Sequence, residues 1–559
     1  MAFTLLRSRF WLALVLMTPA AAAVAEEPPE GELLYNGIRL PAKWPPVEPL
    51  GREPMPVPYL HHPPEVIPID VGRQLWVDDF LIQETTLRRT FHRPEYCPAN
   101  PILKPDQPWD KQGKASSAMM FSDGVWWDPA LQRFRMWYMG GLFGSTCLAE
   151  SRDGVHWTKP PQDVEPGTGV VVRGRRDSST VWRDYNENDP QRRYKMITAV
   201  VEPKKPWHLV LRESPDGIHW SAPVASSPRC GDRTTFFYNP FRKVWVLSLR
   251  NGGIPRARNY REHADLIKAL AWNAGDVVPW VGADRLDPHN PDPQYHAIEP
   301  QLYNLDAVAY ESLMLGQFSV WQGPENGTCA KLGIHKRNEV LLGFSRDGFH
   351  WDRPDRRPFL EVNPVKDAWN WGNVQSAGGG CLVVGDKLYI YFSGRSLSRD
   401  FWDGSANSGL AILRRDGFAS MDAGDVPGVL TTRPVRFRGK RLFVNAAAAR
   451  GQLQVEILDP QGAVHPPFSL ANCEPIAADK TLLEVKFRGA DDLSALAGSP
   501  VRLRFHLRNG SLYSFWISPD ARGASGGYVA AGGPGLAAPV DDAGIAAYAA
   551  AEKITAAGQ

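Results

Sequence analysis

Long apolar runs are scarce in this chain. Beyond its first 25 residues no stretch approaches the ~18 apolar residues of a membrane-crossing helix, so the sequence reads as soluble. Metal-ligand spacing is missing as well. The six cysteines (Cys97, Cys147, Cys230, Cys329, Cys381 and Cys473) are far apart, with no C-x-x-C pair and no Cys/His cluster. No metal and no cofactor are therefore expected. One or two disulfides, or buried free thiols, both fit that count. An excess of one charge is absent too. Sixty-three Lys and Arg face 61 Asp and Glu, a net charge of +2, which removes the electrostatic case for nucleic acid or an anionic membrane as partner.

What is present points to strands. The 20 Trp, 49 Pro and 50 Gly among 559 residues favour many short strands joined by turns over a helical bundle. The length exceeds one ordinary core and suits two or three domains. Arg7 and Arg9, the apolar run Phe10 to Met17 and the small-x-small site Ala23-Val24-Ala25 read as a cleavable export signal over residues 1–25. A secreted or periplasmic protein is expected.

One short pattern recurs. Ser151-Arg152-Asp153-Gly154-Val155-His156-Trp157 is followed by Ser214-Pro215-Asp216-Gly217-Ile218-His219-Trp220 and by Ser345-Arg346-Asp347-Gly348-Phe349-His350-Trp351. Arg414-Arg415-Asp416-Gly417-Phe418 is a degenerate copy. The aspartates are spaced by 63, 131 and 69 residues, so the middle gap hides a copy, which Asn273-Ala274-Gly275-Asp276 fits. Asp-Gly favours a tight turn because glycine accepts positive φ and aspartate bonds its own backbone. These aspartates are therefore turn-formers and not catalysts. An aromatic, alternating strand such as Arg133 to Tyr138 or Lys387 to Phe392 precedes each copy. Several short strands per period predict the blades of a propeller, here five.

The chain divides into a Pro-rich lead-in over 26–70, a five-bladed β-propeller over 71–420, a small β-sandwich over 421–520 and an Ala/Gly-rich, disordered tail over 521–559. The fold class is all-β.

Asn100-Pro101-Ile102-Leu103, then Trp109-Asp110 and a first blade strand, together with the Ser-x-Asp-Gly-x-x-Trp repeats and the Arg-Tyr-Lys-Met strand, resemble the five-bladed propeller glycosidases. That group includes glycoside hydrolase families 32, 43, 117 and 130. The invertase-type Trp-Met-Asn-Asp-Pro-Asn motif is absent, and Ser117 stands where family 43 places an aspartate. The resemblance implies a carbohydrate substrate and one carboxylate from each of three blades.

Glycoside cleavage needs two carboxyl groups flanking the bond. In a propeller the inner-strand starts converge on one funnel, and the carboxylates near those starts are the candidates. Asp177 and Asp232 occupy equivalent places in adjacent repeats and are expected to supply base or nucleophile and its charge-tuning partner, with Glu311 as the acid. Asp110, Glu299, Arg250, Trp109, Trp371, Gln375 and Asp79 are expected to line the substrate site. A non-catalytic carbohydrate-binding propeller and a sialidase-like enzyme, which needs three arginines and a tyrosine nucleophile, are the alternatives.

Overall fold

The computed structural model describes residues 31–200, 206–251, 255–396 and 404–557. The expected export signal lies outside them. The fold is all-β.

Two four-stranded antiparallel sheets form from consecutive segments. One holds Ser179–Arg183, Tyr194–Val200, His208–Ser214 and Ala225–Ser226. The next holds Thr235–Asn239, Val244–Arg250, Ala257–His263 and Val278–Gly282. A larger curled sheet contains three further antiparallel groups. The group preceding these two runs through Ser116–Met119, Val125–Asp128, Arg133–Gly140, Ser145–Ser151 and Trp157–Thr158. The group following them holds Gln301–Glu311, Leu313–Gly323 and Arg337–Ser345. The last holds Asn373–Ser376, Leu382–Val384, Lys387–Arg395 and Ser405–Arg414, and its outer strand is Glu95–Tyr96 from near the start of the chain.

The repeated Asp-Gly turns are built as their chemistry predicts. Asp153 accepts the backbone N–H of Val155 and of His156, both at 2.8 Å, and Gly154 has φ +78°. Asp216 and Asp347 repeat the arrangement. Each turn is also held by its neighbour. The Trp137 indole donates to the carbonyl of Gly217, the Tyr391 hydroxyl to Gly154 and the Trp280 indole to Phe349, each at 2.8 Å. The turns thus fasten one group to the next. Asn273–Asp276 occupies the equivalent connection, between Ala257–His263 and Val278–Gly282, but as a 3-10 turn in which Gly275 keeps a negative φ. A methyl at Gly217 would sit 2.5 Å from the Trp137 ring at φ +73°. Gly217→Ala is therefore expected to destabilise by roughly 1–3 kcal/mol, read as a lower denaturant midpoint.

A second unit consists of two further antiparallel sheets. Arg441–Ala447, Gly510–Ser518, Ala419–Ala423 and Asp479–Glu484 belong to one, and Gly428–Thr432, Arg502–Arg508 and Gln452–Leu458 to the other. Side chains of both, among them Val444, Phe515, Leu430, Phe505 and Ile457, fill one hydrophobic cluster. The start of the 71–420 segment departs from its expected place. Gln74–Leu75, Ile82–Thr85 and Arg88–Phe91 pair with strands of the second unit. Strand alternation explains why: Leu75 and Val77 face the cluster under the repeats, while Trp76 between them faces the other.

The 521–559 tail is likewise not frayed where it is described. Ala524, Val529, Ala531, Leu536, Ala547 and Ala551 are buried, and Tyr528–Val529 pairs with the end of Gln301–Glu311. Small side chains let this backbone approach closely; a methyl at Gly533 would lie 1.8 Å from the carbonyl of Val383. All six cysteines are free thiols, and all but Cys230 are buried.

Candidate active site

The inner strands begin at one end of their groups, where the second strands end: Ser179 faces Thr198, Thr235 faces Ser248, and Asn373 faces Arg395. Neighbouring groups touch at this same end through the parallel pairs Asn338 with Asn373 and Ser405 with Ser116. Residues that precede or open these strands therefore converge.

Arg233 marks the centre. It lies two residues before Thr235–Asn239, yet the charges that act on it are Asp306, Tyr303, Asp177 and Asp123, carried by three other groups. Its guanidinium lies 3.8 Å from the Phe121 ring centroid, and Arg395 approaches the same ring at 5.1 Å. Beneath it Asp306 accepts from Ser122 at 2.8 Å, Asn304 at 2.9 Å and Ser376 at 2.6 Å. Arg258 donates to the Arg233 carbonyl at 2.7 Å, and burial with Arg233's like charge pushes its guanidinium down to about 9.

Asp177 and Asp232 both lie here. The Ser178 hydroxyl reaches the carbonyl of Asp232 at 2.8 Å and that of Thr234 at 3.2 Å, tying the two strand starts together. Asp177 accepts from the backbone of Ser178 at 2.8 Å. Burial pushes its carboxyl above the ordinary range against the opposing charges of Arg233, Arg395 and Lys336. Asp232 is half-buried and ion-paired with Arg250. Asp123 is ion-paired with Arg176 at 3.0 Å, and burial still brings it up to about 6.

A bulge supplies the next group. The register of Gln301–Glu311 shifts between Leu302 and Asn304, leaving Tyr303 unpaired. Lys336 donates to the Tyr303 hydroxyl at 2.9 Å. Burial opposes the phenolate, but Lys336 and Arg395 outweigh it and bring the phenol down to about 8. Beside Lys336, burial takes the His335 imidazole down to about 3, so it is neutral; the Trp371 ring packs edge-on against it at 5.9 Å. Gln375 is buried and donates to Asn373 at 2.8 Å.

Other expected residues fall elsewhere. Glu311 ends an 11-residue strand whose start, not its end, faces the cluster. It is fully buried among Arg73, Arg415 and Ser525, where the repeats meet the second unit and the tail. It has no route to a substrate and is not the acid. Asp110 is also fully buried, paired with Lys159 and bonded to Tyr138, and Trp109 packs in the core with its indole N–H on that tyrosine. Glu299 is an exposed partner of Arg52. Asp79 is exposed, pairs with Arg89 and belongs to the second unit. Arg233, Tyr303, Lys336 and Arg395 are not among the residues expected from the sequence. Arg233 follows Asp232 in sequence and Tyr303 lies near the start of an inner strand, so both sit where strand starts converge. Among the described residues no group of three His, Cys, Asp or Glu side chains is placed to hold a metal ion.

No protein-family model and no curated protein matches the chain. Solved structures do. A thermostable family-43 glycoside hydrolase is 12% identical with a TM-score of 0.36, covering 55% of this chain and 93% of its own. A β-1,2-mannobiose phosphorylase from Listeria innocua is 13% identical with a TM-score of 0.38, covering 57% and 96%. A GH32 β-fructofuranosidase from Bombyx mori is 8% identical with a TM-score of 0.33, covering 77% and 94%. Families 43 and 32, which the sequence resembles, are both among them. At these identities and TM-scores the likeness assigns no residue role.

Proposed function

We propose that the protein is an exported glycoside hydrolase, a five-bladed β-propeller with an accessory β-sandwich, and that its funnel cleaves a glycosidic bond in a polysaccharide or oligosaccharide. Five consecutive antiparallel groups, the last completed by a strand from near the chain's start, support the propeller. The sandwich reading rests on two sheets sharing one hydrophobic cluster. Export rests on the positive, apolar and small-residue segments of residues 1–25.

The observation that carries the chemistry is the pairing of Asp177 with Asp232 on adjacent strand starts in unlike environments. Burial shifts Asp177 toward its protonated form, which suits it to protonate the leaving glycosidic oxygen. Asp232, less buried and paired with Arg250, is the group that activates water or attacks the anomeric carbon. The acid thus moves from Glu311 to Asp177. Incubating the protein with plant, algal and microbial polysaccharides tests this, read as release of reducing ends. The wild type is expected to cleave at least one of them, and Asp232→Asn to slow that cleavage by roughly 10²–10⁴-fold. Cleavage that survives in both Asp232→Asn and Asp177→Asn would sink the assignment. Binding with no cleavage of any polysaccharide would favour a carbohydrate-binding propeller.

A further inference from the structure

Four cations where the inner strands begin have no ion-pair partner among the described residues; one of them, Arg258, spends its donors on Ser248 and on the carbonyls of Arg233 and Tyr303. Arg176, Arg250 and Arg256 are matched by Asp123, Asp232 and Glu325. Arg233, Arg395 and Lys336 are not: Arg233 donates to the Phe121 carbonyl, Arg395 lies over the Phe121 ring, and Lys336 donates to Tyr303. Arg233 is only 1% exposed, yet its Nε and Nη2 have no hydrogen-bond partner among the described residues. Burying a guanidinium with donors unmet is costly, and native structures retain such groups where a ligand meets them.

Among the described residues Asp177 is the carboxylate on which all three act. Counting Asp177 and Asp306 against Arg233, Arg258, Arg395 and Lys336, the described residues leave the floor positive even when both carboxylates are ionised. A neutral sugar would dock there without meeting those donors. A planar or tetrahedral oxyanion would meet them, because guanidinium groups bind carboxylate and sulfate oxygens through paired N–H donors.

We propose that Arg233, Arg395 and Lys336 form a subsite for an oxyanion carried by the sugar chain, either a uronate carboxylate or a sulfate ester. The placement beside the scissile bond rests on the reading of Asp177 and Asp232 as the cleaving pair; the preference for an anion rests on the three cations alone.

The test uses the full chain with Asp177→Asn, titrated calorimetrically with oligogalacturonides and their methyl esters, with sulfated oligosaccharides and their desulfated forms, and with inorganic phosphate. One charged glycan is expected to bind at least about tenfold more tightly than its neutral counterpart. Adding Arg395→Gln is expected to erase that difference while changing neutral binding less than about twofold. Lys336→Met is the second variant, should Arg395→Gln fold poorly. Equal binding of charged and neutral forms overturns the subsite, as does saturation by inorganic phosphate with no charged glycan bound. If a charged glycan binds and wild type cleaves none, the cleaving pair falls and the subsite stands. If wild type cleaves neutral glycans with no preference for charge, the subsite falls and the cleaving pair stands.

Discussion

Asp177→Asn is expected to lower kcat by roughly 10²–10⁴-fold without lowering the stability of the folded protein. The two halves have one cause. Burial raises the Asp177 carboxyl above its usual 3.8, so the folded state binds its proton more readily than the unfolded chain does. In the window above 3.8 the native state holds more protons, and stability falls as pH rises through it. A neutral amide of the same shape removes that penalty at neutral pH but has no proton to give. Activity as a function of pH should fall on the alkaline side as Asp177 ionises, and that limb should vanish in Asp177→Asn. Parallel loss of activity and denaturant midpoint would mean a structural role instead.

Arg415→Met is expected to cost about 3–5 kcal/mol, the loss seen when one partner of a buried ion pair is removed. Glu311, Asp416 and Asp541 share a fully buried cluster with Arg73 and Arg415, whose side chains are likewise unexposed. Arg415 lies 3.1 Å from Glu311 and 2.8 Å from Asp541, and Arg73 lies 3.0 Å from Asp416. Without Arg415, three buried carboxylates face a single cation. The arginines hold Asp416 and Asp541 below the usual 3.8 despite burial. Their contribution is present above that value and is lost as pH falls through the depressed range. Urea titration at neutral pH checks the first expectation, and its repetition under acid conditions checks the second. A midpoint unchanged in Arg415→Met would show the cluster to be energetically neutral.

Turn chemistry was the most legible part of the sequence, because an Asp-Gly pair acts on its own backbone. Asp153, Asp216 and Asp347 therefore betray their structure without their neighbours. The convergence of Asp177 and Asp232 followed from the same repeat. Glu311 was misplaced because residue type does not say which end of a strand faces the funnel. At ~3.3 Å per residue, the ends of an 11-residue strand lie about 30 Å apart. The tail was misread because alanine and glycine serve both a disordered chain and a tightly apposed one. Only partners distant in sequence, such as Arg415 for Asp541, separate the two. The cationic floor escaped notice because its members come from separate groups and share no spacing.

The strand at Ile82–Thr85 acquires its partner only when Gly428–Thr432 exists; Thr85 bonds to Val429 across 344 residues. At synthesis rates of ~5–20 residues per second, that gap lasts roughly 20–70 s. Throughout it, Trp76 lacks its ring partners Phe505 and Phe515, and the cluster it shares with Phe80 lacks the strands made last. Completion of the molecule is therefore a late event, and a chain interrupted before residue 428 would present chaperones and proteases with an open apolar seam.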